Sequence, residues 1–398
     1  MRFPELSGEW IESKLGDIAD FSKGAGISKD QRSEEGNPCI LYGELYTRYK
    51  SEVITNVFSK TALPDSELVK SKSNDIIIPA SGETAEDIAT ARCVPFDNIL
   101  LGGDLNIIRL HEQDGKFFSY QLNGVRKYDI ATVAQGVSVV HLHAGDLKGI
   151  TVKYPSHIAE QEKISQILGL IDDRIATQSK IIEELKTLRG ALVDTYINDG
   201  NNNNENQTIM SLGAYGCFVR GLTYSSVDVT DNTATTGVVR SNNLEYGSPV
   251  GIKADLVYVT KKPSPEQMLV NGDIVICMAN GSSSLVGKAS NYQELCRNMT
   301  VGAFCGIYRG THPLTKWIFM SSAYCKAVAN AIQGGNGAIA NLHAEDILSM
   351  CFAVPSDYKT ITELGKLLSL FDEKLHAAEE QLARFIEQKK YFLFKMFI

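Results

Sequence analysis

Residues 156–198 carry the feature that most limits how this chain can fold. The stretch has no proline and only two glycines. Ile164, Leu168, Ile171, Ile175, Ile182, Leu185, Leu192 and Tyr196 recur at alternating steps of four and three, interrupted by Gln178 and Arg189. A seam held over four heptads predicts a coiled-coil helix that needs an equally long apolar partner. That partner stands in the same chain, two hundred residues on. Leu364, Leu368, Phe371, Leu375, Ala378, Leu382, Phe385, Lys389, Phe392 and Met396 repeat the phase, and Lys389 answers the basic interruption at Arg189.

The repeat extends outside the helices. Leu15-Gly16 matches Leu212-Gly213, and Asp75-Ile76-Ile77-Ile78 matches Asp273-Ile274-Val275-Ile276. Leu142-His143-Ala144-Gly145-Asp146-Leu147 matches Leu342-His343-Ala344-Glu345-Asp346-Ile347, and Tyr154-Pro155-Ser156 matches Val354-Pro355-Ser356. The chain therefore reads as a tandem duplication. Its parts are a globular unit over 1–155, a long helix over 156–198, a polar Asn-rich linker over 199–208, a second globular unit over 209–355 and a second long helix over 356–398. Order alone predicts that the second helix runs back antiparallel along the first. Each helix is about 60 Å long at 1.5 Å per residue. The expected fold class is α+β: two tandem α/β domains separated by a long antiparallel two-helix coiled coil, with pseudo-two-fold symmetry.

Within the first unit, Ile11–Ala19 reads as a short amphipathic stretch, and Asp75-Ile76-Ile77-Ile78-Pro79 as a buried strand stopped by proline. Ile99 to Arg109 reads as two strand pieces around a glycine turn, and Phe117 to Val125 has helical spacing.

The 398 residues suffice for two or three cores. No apolar run reaches the roughly 18 residues that span a bilayer, and MRFPELSGEWIESKL lacks a secretory layout. Eight cysteines are scattered without a C-x-x-C pair, which fits reduced thiols in the cytoplasm. The net charge of −8 disfavours a polyanion partner on its face. The acid excess lies in the first half, with 17 Lys+Arg against 22 Asp+Glu over 1–156 and 10 against 9 over 209–355. Nucleic-acid binding here needs a locally basic face, not a basic protein.

No motif supplies catalysis. Gly281 to Ala289 resembles a phosphate loop, but five residues separate its glycines and Ala289 stands where a Ser or Thr must bind Mg²⁺. His141-x-His143 has no third ligand at metal spacing. His143 and His343 read as turn or cap histidines. Asp172-Asp173 and Asp372-Glu373 are expected on solvated helix faces.

The loops between the matched anchors diverge almost completely. In the first unit they carry Lys23, Lys29, Arg32, Tyr42, Glu44, Tyr46, Arg48, Ser81, Glu83, Thr84 and Gln135. In the second they carry Arg220, Tyr224, Arg240, Asn242, Asn243, Asn280, Ser282, Gln333 and Asn336. These residue types suit DNA: Arg reads guanine, Asn and Gln read adenine, and Lys, Ser and backbone amides hold phosphate. Two unlike heads on a fixed spacer suit two half-sites about one duplex turn, roughly 34 Å, apart. A coiled-coil scaffold with two protein-binding heads is the alternative, and an enzyme of unrecognised type a third.

The opening Gly8-Glu9-Trp10…Leu15-Gly16-Asp17, the closing Leu142-His143-Ala144-Gly145-Asp146-Leu147…Pro155…Glu160-Gln161-Glu162-Lys163-Ile164, and the second copy of that closing string resemble the specificity subunits of type I restriction-modification systems. The second copy departs at Thr360-Ile361-Thr362, which replaces the acidic lead-in. The resemblance implies two target-recognition domains, each gripping half of a split sequence in double-stranded DNA. The paired helices would set the gap and dock two methyltransferase (modification) subunits, with restriction motor-nuclease subunits joining for cleavage. S-adenosylmethionine would belong to the modification partners, leaving this chain with no cofactor, metal or catalytic residue of its own.

Overall fold

The computed structural model describes residues 9–64, 68–136, 138–200, 205–251, 255–293, 298–332 and 340–397. The chain forms two compact units, one of residues 1–180 with 378–398 and the other of residues 181–377. Each unit thus contains part of each long helix.

In the first unit a four-stranded antiparallel sheet runs in the order Ala19–Lys23, Leu105–Leu110, Asp75–Pro79, Arg92–Val94. Asp75–Pro79 is buried along its whole length, as its run of isoleucines requires. A second sheet sets Asn37–Ile40 antiparallel to Ser59–Thr61 and parallel to Leu100–Leu101. Trp10–Lys14 pairs antiparallel with Thr151–Pro155 and ties the start of the unit to the foot of the first long helix. This corrects the amphipathic reading of Ile11–Ala19, because a ladder to a strand 140 residues away leaves no local signature. Only Leu15–Ile18 is helical there.

The second unit repeats this set and adds one short strand, Val229–Thr230, to the smaller sheet. Its four-stranded sheet runs Gly216–Arg220, Cys305–Gly310, Ile274–Cys277, Ala289–Asn291. Thr236–Val239 lies antiparallel to Val257–Val259 and parallel to Met299–Val301. Gln207–Ser211 pairs with Cys351–Pro355. One ion pair is also repeated. Arg109 grips Asp75 at 2.6 Å and Arg309 grips Asp273 at 2.7 Å, with both carboxylates about 1% exposed. In each case the fork fixes the entrance of the central strand to its neighbour.

The long helices span Ile158–Tyr196 and Tyr358–Lys395. Within each unit their segments run antiparallel. In the first unit Gln178 Nε2 donates to the Ala378 carbonyl at 3.0 Å and Asp172 meets Lys389 at 2.6 Å, so one numbering rises as the other falls. In the second, Arg189 meets Asp372 at 2.6 Å, while Val193 and Ile197 cluster with Ile361, Leu364 and Leu368. The fold is α+β, built of two α/β domains and these helices. Of the expected seam, Ile164, Leu168, Ile171, Ile182, Leu185, Leu364, Leu368 and Leu375 are buried. Ile175, Phe371, Leu382 and Phe385 are only half-buried, because a two-helix seam without a third layer leaves its flanks in water.

The expectation of solvated acids fails at two places. Asp172 accepts from Ser51 Oγ at 2.8 Å and Tyr120 Oη at 2.7 Å, and Lys389 bridges it to Glu52. Asp372 binds both Arg189 and Lys316. The basic interruptions of the two seams are therefore the partners of the repeat-matched acids. Burial pushes the Glu52 carboxyl up, against the pull of Lys389, since two carboxylates share one ammonium. Asp173 and Glu373 are exposed as expected.

Candidate nucleic-acid interface

The two domains build their divergent loops on the same backbone device. Leu41 N–H donates to Glu44 Oε2 at 3.2 Å, and Arg240 N–H donates to Asn243 Oδ1 at 2.9 Å. In each case the side chain three residues on closes the turn after an inner strand of the smaller sheet, and Leu45 and Leu244 follow as matched core residues. Glu44 and Asn243 are each 5% exposed. Their side chains are buried and close the turn, a use that polarity alone does not separate from contact with DNA. Ser81 is buried too, in the strand that pairs with His141. Thr84 caps the helix Ala85–Ile88, accepting from Asp87 N–H at 3.1 Å.

A close approach of backbones underlies each loop cluster. A Cβ on Gly24 would lie 2.0 Å from the Gly102 carbonyl oxygen, and one on Gly221 would lie 2.1 Å from that of Gly302. Glycine is therefore obligatory at both positions, and the end of the first sheet strand can meet the turn that precedes Leu105–Leu110 or Cys305–Gly310.

In the second domain this approach opens a cleft of ≈ 480 Å³. Tyr224, Arg240, Asn242 and Phe304 line it, with Ser241 and Gly302 between them. Asn280 Nδ2 reaches Ser241 Oγ at 3.4 Å and its own Oδ1 takes the Ser282 N–H at 3.0 Å, so both join the rim. Arg240 Nη2 donates to the Asp255 carbonyl at 2.9 Å, which steadies the guanidinium at the cleft wall. Arg220 is exposed at the end of its strand, one residue before Gly221. Gln333 and Asn336 lie outside the described residues.

Phe304 and Ser241 were not anticipated from the sequence. Phe304 is 65% exposed, yet its carbonyl accepts from Met278 and Ala279 N–H, so the backbone holds the ring out in water. Its place in the turn Gly302-Ala303-Phe304, against Gly102-Gly103-Asp104 in the first repeat, is the signal the sequence offered.

In the first domain Tyr42, Tyr46 and Glu83 come together. Burial pushes the Tyr46 phenol up, with Tyr42, Asp87 and Glu83 adding to it. Arg48 donates to Glu44 at 3.1 Å and stacks over Phe58 at 4.8 Å, and Arg32 stands 4.0 Å from the same carboxylate. Lys23 is exposed at the end of its strand, Lys29 at the start of a short 3-10 helix, and Gln135 at an isolated bridge to His141. The set offers guanidinium, amide, hydroxyl and aromatic groups on a rigid frame, the chemistry of base-edge and phosphate contact.

The histidines follow the cap reading. His143 and His343 stand at the N-caps of Ala144–Lys148 and Ala344–Ser349, and Asp346 accepts the His343 N–H at 2.7 Å. Among the described residues, no group of three or more His, Cys, Asp or Glu could hold a metal ion, and no helix is long and apolar enough to cross a membrane. Burial pushes the Cys305 thiol beside the cleft up to about 12.

Residues 7–187 match the model of the type I restriction modification DNA specificity domain. The EcoKI specificity subunit of Escherichia coli (strain K12), a type I restriction enzyme component, is 27% identical over 192 residues, covering 46% of this chain and 40% of that one. The StySPI specificity subunit of Salmonella potsdam is 35% identical over 95 residues, covering 23% and 20%. The chain thus spans less than half the length of these curated relatives. Among solved structures, the type I restriction-modification S subunit from M. genitalium superposes with a TM-score of 0.62 at 16% identity, covering 100% of this chain and 98% of that one. A chain from a structural study of type I R-M complex assembly and conformational transition superposes with a TM-score of 0.56 at 12% identity, covering 99% and 98%. At such identities the likeness is one of fold. Residues 7–187 are thus similar to a type I restriction modification DNA specificity domain, and the second unit repeats the principal strands of the first.

Proposed function

We propose that this chain reads a split DNA sequence for a type I restriction-modification complex, each domain reading one half. The observation that carries the reading is the cleft of Tyr224, Arg240, Asn242 and Phe304, which stands where the first domain has Leu41, Tyr42 and Asp104 on the same frame. A frame kept twice with its reading groups exchanged suits two different half-sites better than two copies of one protein contact. The long helices set the gap between half-sites and dock two methyltransferase subunits, and motor-nuclease subunits complete the complex. Methyl transfer and cleavage belong to those partners. Modest net acidity is compatible with this role, because the partners share the phosphate contacts.

Methylome sequencing of the host with and without the gene tests the reading. Loss of methylation at one bipartite motif is the expected result. An unchanged methylome, with the modification subunits intact, would favour a protein scaffold.

A further inference from the structure

The recognition loops of the two domains differ twice in the same direction. After Gly24 and after Gly221 the chain enters a short 3-10 turn closed by one device. Gln31 Oε1 accepts the Ser28 N–H at 2.9 Å, and Asp228 Oδ2 accepts the Ser225 N–H at 2.8 Å. The turn exposes Asp30 in the first domain and Val227, 88% exposed, in the second. The tight turn before the next matched strand makes the same exchange. Gly102-Gly103-Asp104 ends on an exposed carboxylate, and Gly302-Ala303-Phe304 on an exposed ring.

A lone exposed apolar residue is ordinary on a protein surface. Phe304 is neither alone nor loose. Tyr224 lines the same cleft, with Arg240 and Asn242 beside it. The backbone under the ring is tied at both ends of its turn. Gly302 N–H donates to the Val239 carbonyl at 2.9 Å, Cys305 N–H to the Gly302 carbonyl at 2.8 Å, and Met278 N–H to the Phe304 carbonyl at 2.8 Å. The first domain keeps the last of these, with Ala80 N–H donating to the Asp104 carbonyl at 2.7 Å, so the frame is shared and the side chain is exchanged. A ring carried on a fixed backbone loses little freedom when it is covered. Cations stand on the same loops. Lys261 Nζ donates to the Thr223 carbonyl at 2.7 Å, next to Tyr224, and Arg220 is exposed before Gly221. These suit phosphates on either side of an apolar contact.

In an intact duplex the base faces are hidden in the stack, and only base edges reach the grooves. The apolar group on a major-groove edge is the thymine 5-methyl, and phenylalanine is one of the side chains that read it. We infer that Phe304 is a specificity-determining residue that reads thymine in the half-site of the second domain through its 5-methyl group. Arg240 and Asn242 take purine edges beside it. The inference rests on the proposed DNA-reading role and names the base feature that the second domain senses. Asp104, at the matching place, is built for a different partner, since a carboxylate accepts from the cytosine amino group. One frame thus carries two pyrimidine readers, and the dependence on Phe304 is confined to one half-site.

The test is a double-mutant cycle between the ring and the methyl group. The full chain, co-purified with the modification subunits, is titrated by anisotropy against duplexes carrying the motif found by methylome sequencing. Each thymine is replaced in turn by deoxyuridine, which pairs identically and lacks only the methyl group. With the wild type, replacement at one or two positions of a single half-site should raise Kd about fourfold each, the weight of one buried methyl. Phe304→Ala should raise Kd on the unmodified duplex and show no further rise with deoxyuridine at those positions. Phe304→Leu, which keeps an apolar group, should retain part of the discrimination. The ring is 65% exposed, so both variants should melt with the wild type. Additive effects of Phe304→Ala and deoxyuridine would overturn the methyl reading and leave the proposed role intact. So would a wild type indifferent to every replacement, or Phe304→Ala binding all duplexes as the wild type does. A host methylome with no motif that depends on this gene would overturn the proposed role and the inference with it.

Discussion

Lys389→Ala should be among the most damaging single changes outside the apolar core. The Lys389 ammonium is 13% exposed and bridges two carboxylates that are each 9% exposed, Asp172 at 2.6 Å and Glu52 closer still. Removing one member of a buried ion pair costs about 3–5 kcal/mol, because the remaining charge is left in a poor solvent. Asp172 keeps its Ser51 and Tyr120 donors, and Arg92 adds attraction at Glu52, so the lower end applies, about 3 kcal/mol near pH 8. For a unit of this size that lowers the melting midpoint by roughly 6–12 °C. Near pH 4 the Glu52 carboxyl, which burial already pushes up, is protonated and the deficit shrinks. Arg189→Ala is the control. Asp372 is 21% exposed and retains Lys316, so the loss should be about 1 kcal/mol. Calorimetry and urea titration of the full chain at both pH values measure the difference. Lys389→Met combined with Glu52→Gln and Asp172→Asn should recover more than half the loss, as neutral packing replaces the charges. Equal losses for Lys389→Ala and Arg189→Ala, or a loss independent of pH, would refute the buried-charge argument.

Further outcomes follow from the same geometry. The Glu52 carboxyl is raised in the folded chain, so its contribution is fully present below its ordinary value of 4.5 and is lost as pH rises through the folded value. Glu52→Gln should therefore gain stability relative to the wild type between pH 4 and pH 8, read from paired melting curves. Arg240→Ala should weaken binding by roughly 1–3 kcal/mol at one half-site only, measured by anisotropy on duplexes varied base by base. A uniform loss would make it a phosphate contact, and no loss would remove it from the interface. Asn243→Ala opens the turn that carries Arg240 and should cost about 1–2 kcal/mol of stability and impair the same half-site, so denaturation and binding fail together. Inserting one heptad in both long helices adds about 10 Å, and the tolerated gap in the methylated motif should lengthen by about three base pairs.

The sequence by itself determined the duplication, the two long helices and their partnership. A four-three apolar rhythm can be buried only by another of equal length, and Ile164 to Tyr196 and Leu364 to Met396 are such a pair. It also marked the buried strands at Asp75 and Asp273, because unbroken β-branched runs have few other uses. The loop residues were legible as chemistry but not as positions. Arg240 and Asn242 share a cleft while Glu44 and Asn243 are buried turn closers, and polarity alone does not separate a side chain that faces water from one spent on its own backbone. Only the tertiary structure decided which acids are solvated. Asp172 and Asp173 are adjacent in sequence and opposite in fate, since a 100° turn of helix carries one into the Lys389 bridge and leaves the other at the rim of a hollow. Strand partners 140 residues apart, such as Trp10–Lys14 with Thr151–Pro155, were likewise decided there, because backbone ladders depend on which chains meet and not on which side chains they carry.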